Sequence, residues 1–267
     1  MTGLKAIRSR NNPTVKALAK LAGSSRERKK KGSTLLEGER LVRAYGDSGG
    51  TAKAILASES ALADASTRAF VENFPAGERL ALSDGVFAAI SQLASAAGVA
   101  AVIRTPEPSP LPRPASGCLL LENIQDPGNL GSILRTAVAA GTSQVFLSAS
   151  SVFAWSPKVV RAGMGAHFFV SIFENVDLAA LARSFSGRII ATAPRAATSL
   201  YDLDLKGDVA WLFGNEGAGL SSAARSLATT EVRIPMPGQA ESLNVAAAAA
   251  ICLFEQVRRR EGPAAKE

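Results

Sequence analysis

The chain has 267 residues, 47% of them apolar and 20% charged, and a formal net charge of +7. This supplies apolar surface for one large core or two modest ones and excludes a disordered or fibrous chain. No run approaches the roughly 18 consecutive apolar residues of a spanning helix, the basic N-terminus has no apolar signal core, and the two distant cysteines and one histidine form no metal-spaced cluster. The expectation is a cytoplasmic protein without zinc or haem chemistry.

Cations crowd the start of the chain. Residues 1–105 carry 16 Lys and Arg against 9 Asp and Glu, whereas 106–267 carry 14 of each. Within 1–43 the ratio is 12 to 3, peaking at Arg26, Arg28, Lys29, Lys30 and Lys31. Such an excess beside a neutral second half is the footprint of a phosphate-backbone binder, because each neutralised phosphate releases a condensed counterion; a solvated basic loop would look the same. Amphipathic stretches at 12–23 and 84–94 alternate with strand-like runs AKAILAS (52–58) and ERLALS (78–83), and VAAVIR (99–104) closes the segment. Residues 1–104 therefore read as a small α/β RNA-binding domain. The stretch 105–116 holds five prolines in twelve residues, which forbid helix and favour an extended linker.

Residues 117–267 read as a second α/β domain. CLLLENI (118–124), SQVFLSAS (143–150), GRIIATA (187–193) and DVAWLFG (208–214) are short apolar strands separated by helical patterns, which predicts a mainly parallel sheet covered on both faces.

Three motifs follow strands. In DPGNLGSILRTAVAAG (126–141) a Pro-Gly turn opens a helix near Asn129, itself a good N-cap. Arg135 lies six residues on, about 600° around a helix, so the two share a pocket only if Asn129 is still on the turn. An arginine buried among Ile133, Leu134, Ala137 and Val138 would be costly without an anion, which argues for a cleft; a place on an exposed helix face is the plain alternative. WLFGNEGAGLS (211–221) runs a buried strand into a glycine-rich turn that is not a dinucleotide fingerprint, and Glu216 is placed at the strand's C-terminal end, where open α/β sheets put ligands. RIPMPGQAESLNVAAAAAICLFEQVRRR (233–260) joins a strand tip to a long alanine-rich helix, with Ser242 or Asn244 as candidate caps and Met236 and Leu243 as apolar groups for a core or an adenine slot. His167 reads as a core or interface residue.

Taken together, NLGSILRTA, LFGNEGAGLS and IPMPGQAESLNVAAAAAI resemble the three motifs of the SpoU family of RNA ribose 2′-O-methyltransferases, within the superfamily of knotted α/β methyltransferases. The segments IRSRNNPTVKALAKL and LLEGERLV are similar to the ribosomal-protein-like substrate-binding domain that often precedes it. The resemblance implies a parallel-sheet α/β trefoil-knot domain, an exception to the rule that chains are unknotted. It implies S-adenosyl-L-methionine as cofactor, held by Phe213, Gly214, Ile234, Met236, Leu243 and Asn244. The implied active-site positions are Asn129, Arg135, Glu216, Ser242 and Asn244. The implied partners are RNA, ribosomal or transfer, and a second copy bound through the C-terminal domain, with the RNA site completed by both subunits. A guanidinium stays charged in almost any protein environment, so Arg135 is assigned to the phosphate beside the target ribose, lowering the hydroxyl's pKa. Asn129, Ser242 and Asn244 would orient the groups, and Glu216 would hold the loop or Arg135. RNA contacts are expected from Arg28, Lys29, Lys30, Lys31, Arg135 and Arg161. The rival reading is a non-catalytic RNA-binding or ribosome-assembly factor on the same fold.

Overall fold

The structure, a computed structural model of the chain, describes residues 3–92, 98–107, 111–114 and 117–261. These fall into two compact units, residues up to 107 together with 155–161, and 108–154 together with 162 onward. Parts of the expected linker (108–110 and 115–116) and the tail of the predicted helix 84–94 (residues 93 and 94) lie outside the described residues; 105–107 and 111–114 carry no regular element.

The first unit runs β1 (Lys5–Ile7), α1 (Pro13–Gly23), α2 (Ser25–Lys31), β2 (Ser33–Glu37), α3 (Glu39–Asp47), β3 (Ala52–Ser58), α4 (Ala65–Asn73), β4 (Ala76–Leu82), α5 (Asp84–Ile90) and β5 (Val99–Arg104). Its sheet has the order β1-β4-β3-β5-β2, with β5 antiparallel to β3 and β2 and the other pairs parallel. Helix α1 starts where Asn12 caps it, its Oδ1 accepting from the Thr14 N–H at 2.9 Å, with Pro13 supplying the preset φ of the first helical position. Val15, Leu18, Leu21 and Ala22 recur at helical spacing and pack with Leu35, Leu56, Leu80 and Phe87 into the core of this unit. Helix α2 ends on Gly32 at φ 51°, a left-handed cap that a glycine adopts without Cβ strain.

Arg28 departs from expectation. Its side chain is 1% exposed and donates to the carbonyls of Leu21 (2.7 Å), Trp155 (3.0 Å) and Leu35 (3.1 Å). Burial pulls its pKa down to about 10, with Glu37 opposing that fall and Arg161 adding to it, so the group stays charged at neutral pH. Arg28 is an internal brace and is not available to a phosphate; Lys29, Lys30 and Lys31 are exposed.

The second unit runs β6 (Leu119–Leu121), α6 (Pro127–Ala139), β7 (Gln144–Leu147), α7 (Pro157–Gly163), β8 (Ser171–Phe173), α8 (Leu178–Ser184), β9 (Arg188–Thr192), β10 (Thr198–Ser199), β11 (Val209–Phe213), α9 (Ser222–Arg225), β12 (Thr230–Arg233) and α10 (Val245–Glu261); within α7, residues up to Arg161 group with the first unit. All six strand pairs are parallel, in the order β10-β12-β9-β11-β6-β7-β8. This is the expected parallel α/β sheet. Every residue of β11 is buried, as a central parallel strand with both faces covered requires. Leu120, Phe146, Phe173, Ile189 and Leu212 form one core on it. The alanine-rich helix predicted at 243–257 spans 245–261.

Candidate active site

Loops leave the C-terminal ends of β6 (122–126), β11 (214–221) and β12 (234–244), the end of an open parallel sheet where ligands bind. The first loop ends at Asp126, which caps α6 by accepting from the Asn129 N–H at 2.8 Å, with Pro127 in the first turn. Asn129 is therefore not the cap. It already lies inside the helix, and this frees its side chain for the site. The Asp126-Pro127 pair was the signal in the sequence that could have told the two apart.

Asn129 Nδ2 donates to Glu216 Oε1 at 3.1 Å, and Asn129 Oδ1 accepts from Asn244 Nδ2 at 2.8 Å. Asn244 Oδ1 in turn caps α10, accepting from the N–H groups of Ala246 (2.9 Å) and Ala247 (3.3 Å). Each amide fixes the next: the helix cap needs the Asn244 oxygen, so its NH₂ must face the Asn129 oxygen, and the Asn129 NH₂ must then meet a pure acceptor, the Glu216 carboxylate. Glu216 also accepts from the backbone N–H of Asp126 (3.1 Å) and Gln125 (3.3 Å) and from Asn215 Nδ2 (3.3 Å). Partial burial works against ionisation, but the hydrogen bonds from its own backbone, Asn129, Asp126 and Gln125 outweigh it and hold the carboxyl below its ordinary value. Of the two roles foreseen for Glu216, the structure supports holding the loops; its partners do not include Arg135.

The loop after β11 is closed on itself. Asn215 and Gly219 exchange two backbone hydrogen bonds of 3.0 Å, and Asn215 Oδ1 accepts from Gly217 and Ala218 at 2.9 Å each. A Cβ at Gly214 would lie 2.5 Å from backbone atoms of Gly219 and Leu220, so only glycine fits. Glu122, which the sequence reading did not single out, fastens the end of the loop by accepting from Ser221 Oγ (2.6 Å) and Ser221 N–H (2.8 Å).

These loops enclose a cleft of about 300 Å³. Ile234, Met236 and Leu243 line one part, Gly214 to Leu220 another, and Thr192 to Pro194 close it; Ser242 also lines it. Aliphatic side chains opposite a glycine-rich loop bearing polar groups fit a nucleoside carrying a polar tail, which is the chemistry of S-adenosylmethionine. Phe213 and Asn244 do not line the cleft: Phe213 is fully buried and stacked on Trp211, and Asn244 sits in the amide network.

Arg135 stands apart. Because Asn129 is within α6, the six-residue separation puts the two on different faces, and Arg135 is exposed where a buried setting was weighed. Among the described residues it has no hydrogen-bond or ion-pair partner. Arg161 is half-buried, with its Nη1 buried and unpartnered. His167 is a core residue, 4% exposed, with Nε2 in a 2.9 Å hydrogen bond to the Ala154 carbonyl.

Fold and site thus define an α/β enzyme that binds a nucleoside-like ligand at its strand ends. The particular family follows from sequence similarity: residues 117–254 match the SpoU rRNA Methylase family and residues 12–101 the MRM3-like substrate binding domain. The chain belongs to the SpoU rRNA methylase family and is an S-adenosylmethionine-dependent RNA 2′-O-methyltransferase. It is 34% identical over 268 residues to an uncharacterized tRNA/rRNA methyltransferase of Synechocystis, covering 96% of this chain and 95% of that one. It is 32% identical to the 23S rRNA (guanosine(2553)-2′-O)-methyltransferase of Bacillus subtilis, covering 94% and 98%. The solved AdoMet-bound rRNA methyltransferase from Sinorhizobium meliloti superposes with a TM-score of 0.84 at 30% identity, over 96% of this chain and 98% of that one.

Proposed function

We propose that the enzyme methylates a ribose 2′-hydroxyl of large-subunit ribosomal RNA in the cytoplasm, as a homodimer. The observation that carries the reading is the Glu216–Asn129–Asn244 network joining three loops around a cleft fit for the cofactor, with the unpaired Arg135 on the same helix as Asn129. The ribosomal target is supported by the Bacillus subtilis relative, whose name specifies 23S rRNA and whose length this chain covers almost fully.

When bound, S-adenosylmethionine supplies a methyl group on a sulfonium. Gly214, Ile234, Met236 and Leu243 bind and desolvate it. Arg135 binds the phosphate next to the target ribose and lowers the pKa of its hydroxyl, which is a poor nucleophile unless oriented and stripped of water. Asn129, Asn244 and Ser242 orient the reacting groups, and Glu216 keeps their loops in register. Arg135 faces away from the network on α6, so it acts in the cleft of the partner subunit, and the site is completed across the dimer. The exposed apolar side chain of Phe254 (48%) on α10 supports that association. Lys29, Lys30, Lys31 and Arg161 contribute to RNA binding.

The test is methyl transfer from labelled S-adenosylmethionine to protein-free 23S rRNA transcript, with ribose methylation mapped by resistance to alkaline cleavage. Label on a base, or none on the RNA, would overturn the proposal.

A further inference from the structure

We infer that α1, α2 and the adjoining strands β2 and β3 build a dedicated RNA-backbone cleft, distinct from the methyl-transfer site and centred on Lys16, Lys20 and Lys53. The inference rests on the RNA-methylating reading above and deepens it.

Lys16 and Lys20 stand one turn apart on the solvent side of α1, Lys30 and Lys31 end α2, and Lys53 extends from β3. They line one open cleft of about 730 Å³ together with a single carboxylate, Glu27. In the sequence the cation excess spans 1–43 and is densest at 28–31. Folding turns Arg28 inward and brings up three lysines that lie 8 to 22 positions away from the run.

Pairing separates these lysines from three arginines of the same unit. Arg8, Arg43 and Arg68 each meet a glutamate, Glu59, Glu39 and Glu72 respectively. Among the described residues, none of the five lysines has a carboxylate partner. Lys53 Nζ donates instead to Ser33 Oγ at 2.7 Å, and Ser33 Oγ donates to the Lys31 carbonyl at 3.1 Å, so two cleft lysines are held in register through one hydroxyl. The position of Lys30 and Lys31 at the end of α2 also suits the helix dipole, but that accounts for neither Lys16 and Lys20 nor Lys53. Five like charges around one concavity repel one another, and a chain of phosphates spaced along the cleft relieves that repulsion while leaving its counterions to solvent. Lysines suit this task because they act as point charges and do not impose a planar bidentate geometry. Among the described residues no aromatic side chain lines the cleft, so the surface reads the backbone and not the bases.

The experiment compares the full-length enzyme with the triple variant Lys16→Ala/Lys20→Ala/Lys53→Ala and the equal-charge control Arg8→Ala/Arg43→Ala/Arg68→Ala, using 23S rRNA transcript as probe across a salt series. Circular dichroism establishes that each is folded. The lysine variant should bind RNA about tenfold more weakly near 0.1 M salt, with the log–log salt slope flattened by about 2, from 0.7 to 0.9 per lost contact. S-adenosylmethionine affinity should not change, the arginine control should keep most of the wild-type slope, and Lys16→Arg/Lys20→Arg/Lys53→Arg should restore binding. If the wild-type enzyme methylates ribose but the lysine variant keeps its slope, or the control loses as much, the cleft is overturned and the function stands. If the wild-type enzyme neither binds nor methylates the RNA, both fall.

Discussion

Replacing Glu216 by glutamine changes one oxygen to an amide NH₂ and tests whether the carboxylate organises the site. Its two oxygens receive donors in pairs, Asn129 Nδ2 and the Asp126 N–H on Oε1, the Gln125 N–H and Asn215 Nδ2 on Oε2. A glutamine can satisfy one pair only and turns its own donors toward the other, so it should be nearly as damaging as alanine despite its shape. Two hydrogen bonds lost at about 0.5 to 1 kcal/mol each, at the low end because the residue is exposed, predict a loss of about 1 to 2 kcal/mol. For a unit of this size that lowers Tm by about 2 to 8 °C. Since Glu216 lines the cofactor cleft, calorimetric titration should show S-adenosylmethionine affinity falling by about tenfold or less, the equivalent of about 1.4 kcal/mol, with a larger drop in turnover because Asn129 and Asn244 lose their orientation. The pH dependence has a fixed sign. The folded carboxyl lies below its ordinary value, so its stabilisation is complete above about pH 4.3 and fades as pH falls through the lowered value. The gap in Tm between wild type and variant should therefore be constant near neutrality and close in acid. A glutamine variant with wild-type Tm, affinity and turnover would refute the idea that this charge places the loops.

Arg135→Ala should abolish methyl transfer to 23S rRNA and leave S-adenosylmethionine affinity within a few fold; near-wild-type turnover would remove Arg135 from the reaction centre. Mixing inactive Arg135→Ala with inactive Glu216→Ala protein under subunit exchange should recover activity, since a heterodimer holds one intact composite site, and no recovery in a sedimenting dimer would place Arg135 in its own protomer's cleft. Gly214→Ala forces a Cβ against Gly219 and Leu220 backbone and should weaken cofactor binding by about 5- to 150-fold by calorimetry, the equivalent of about 1 to 3 kcal/mol of overpacking. Arg28→Ala strands three buried carbonyls and should cost about 3 to 5 kcal/mol of stability in thermal melts; Arg28→Lys should rescue little, because one ammonium cannot reach three separated acceptors.

Local chemistry carried much of this protein in plain view. Apolar runs at 52–58, 187–193 and 208–214 became β3, β9 and β11 within a residue or so at each end, because strands buried in a sheet interior are mostly apolar and are bounded by turn residues. The three glycine- and asparagine-bearing motifs were legible as strand-end loops, and the structure joins Asn129, Glu216 and Asn244 in one network, from positions up to 115 residues apart. What the sequence left open were the choices that depend on direction. Asp126 and Asn129 are equally good caps by residue type; Pro127 favours Asp126, and the path of the 122–126 loop, pinned by Glu216, fixes that Asp126 caps and Asn129 is released. In the run RKKK a one-dimensional charge count treats Arg28 like its neighbours, yet helical geometry turns one residue in that turn toward Leu21 and Leu35 and leaves the lysines outside. Periodicity fixes which residues share a face of their own element; which faces meet, and so which polar groups lose water and must find partners, is decided by packing between segments distant in the chain.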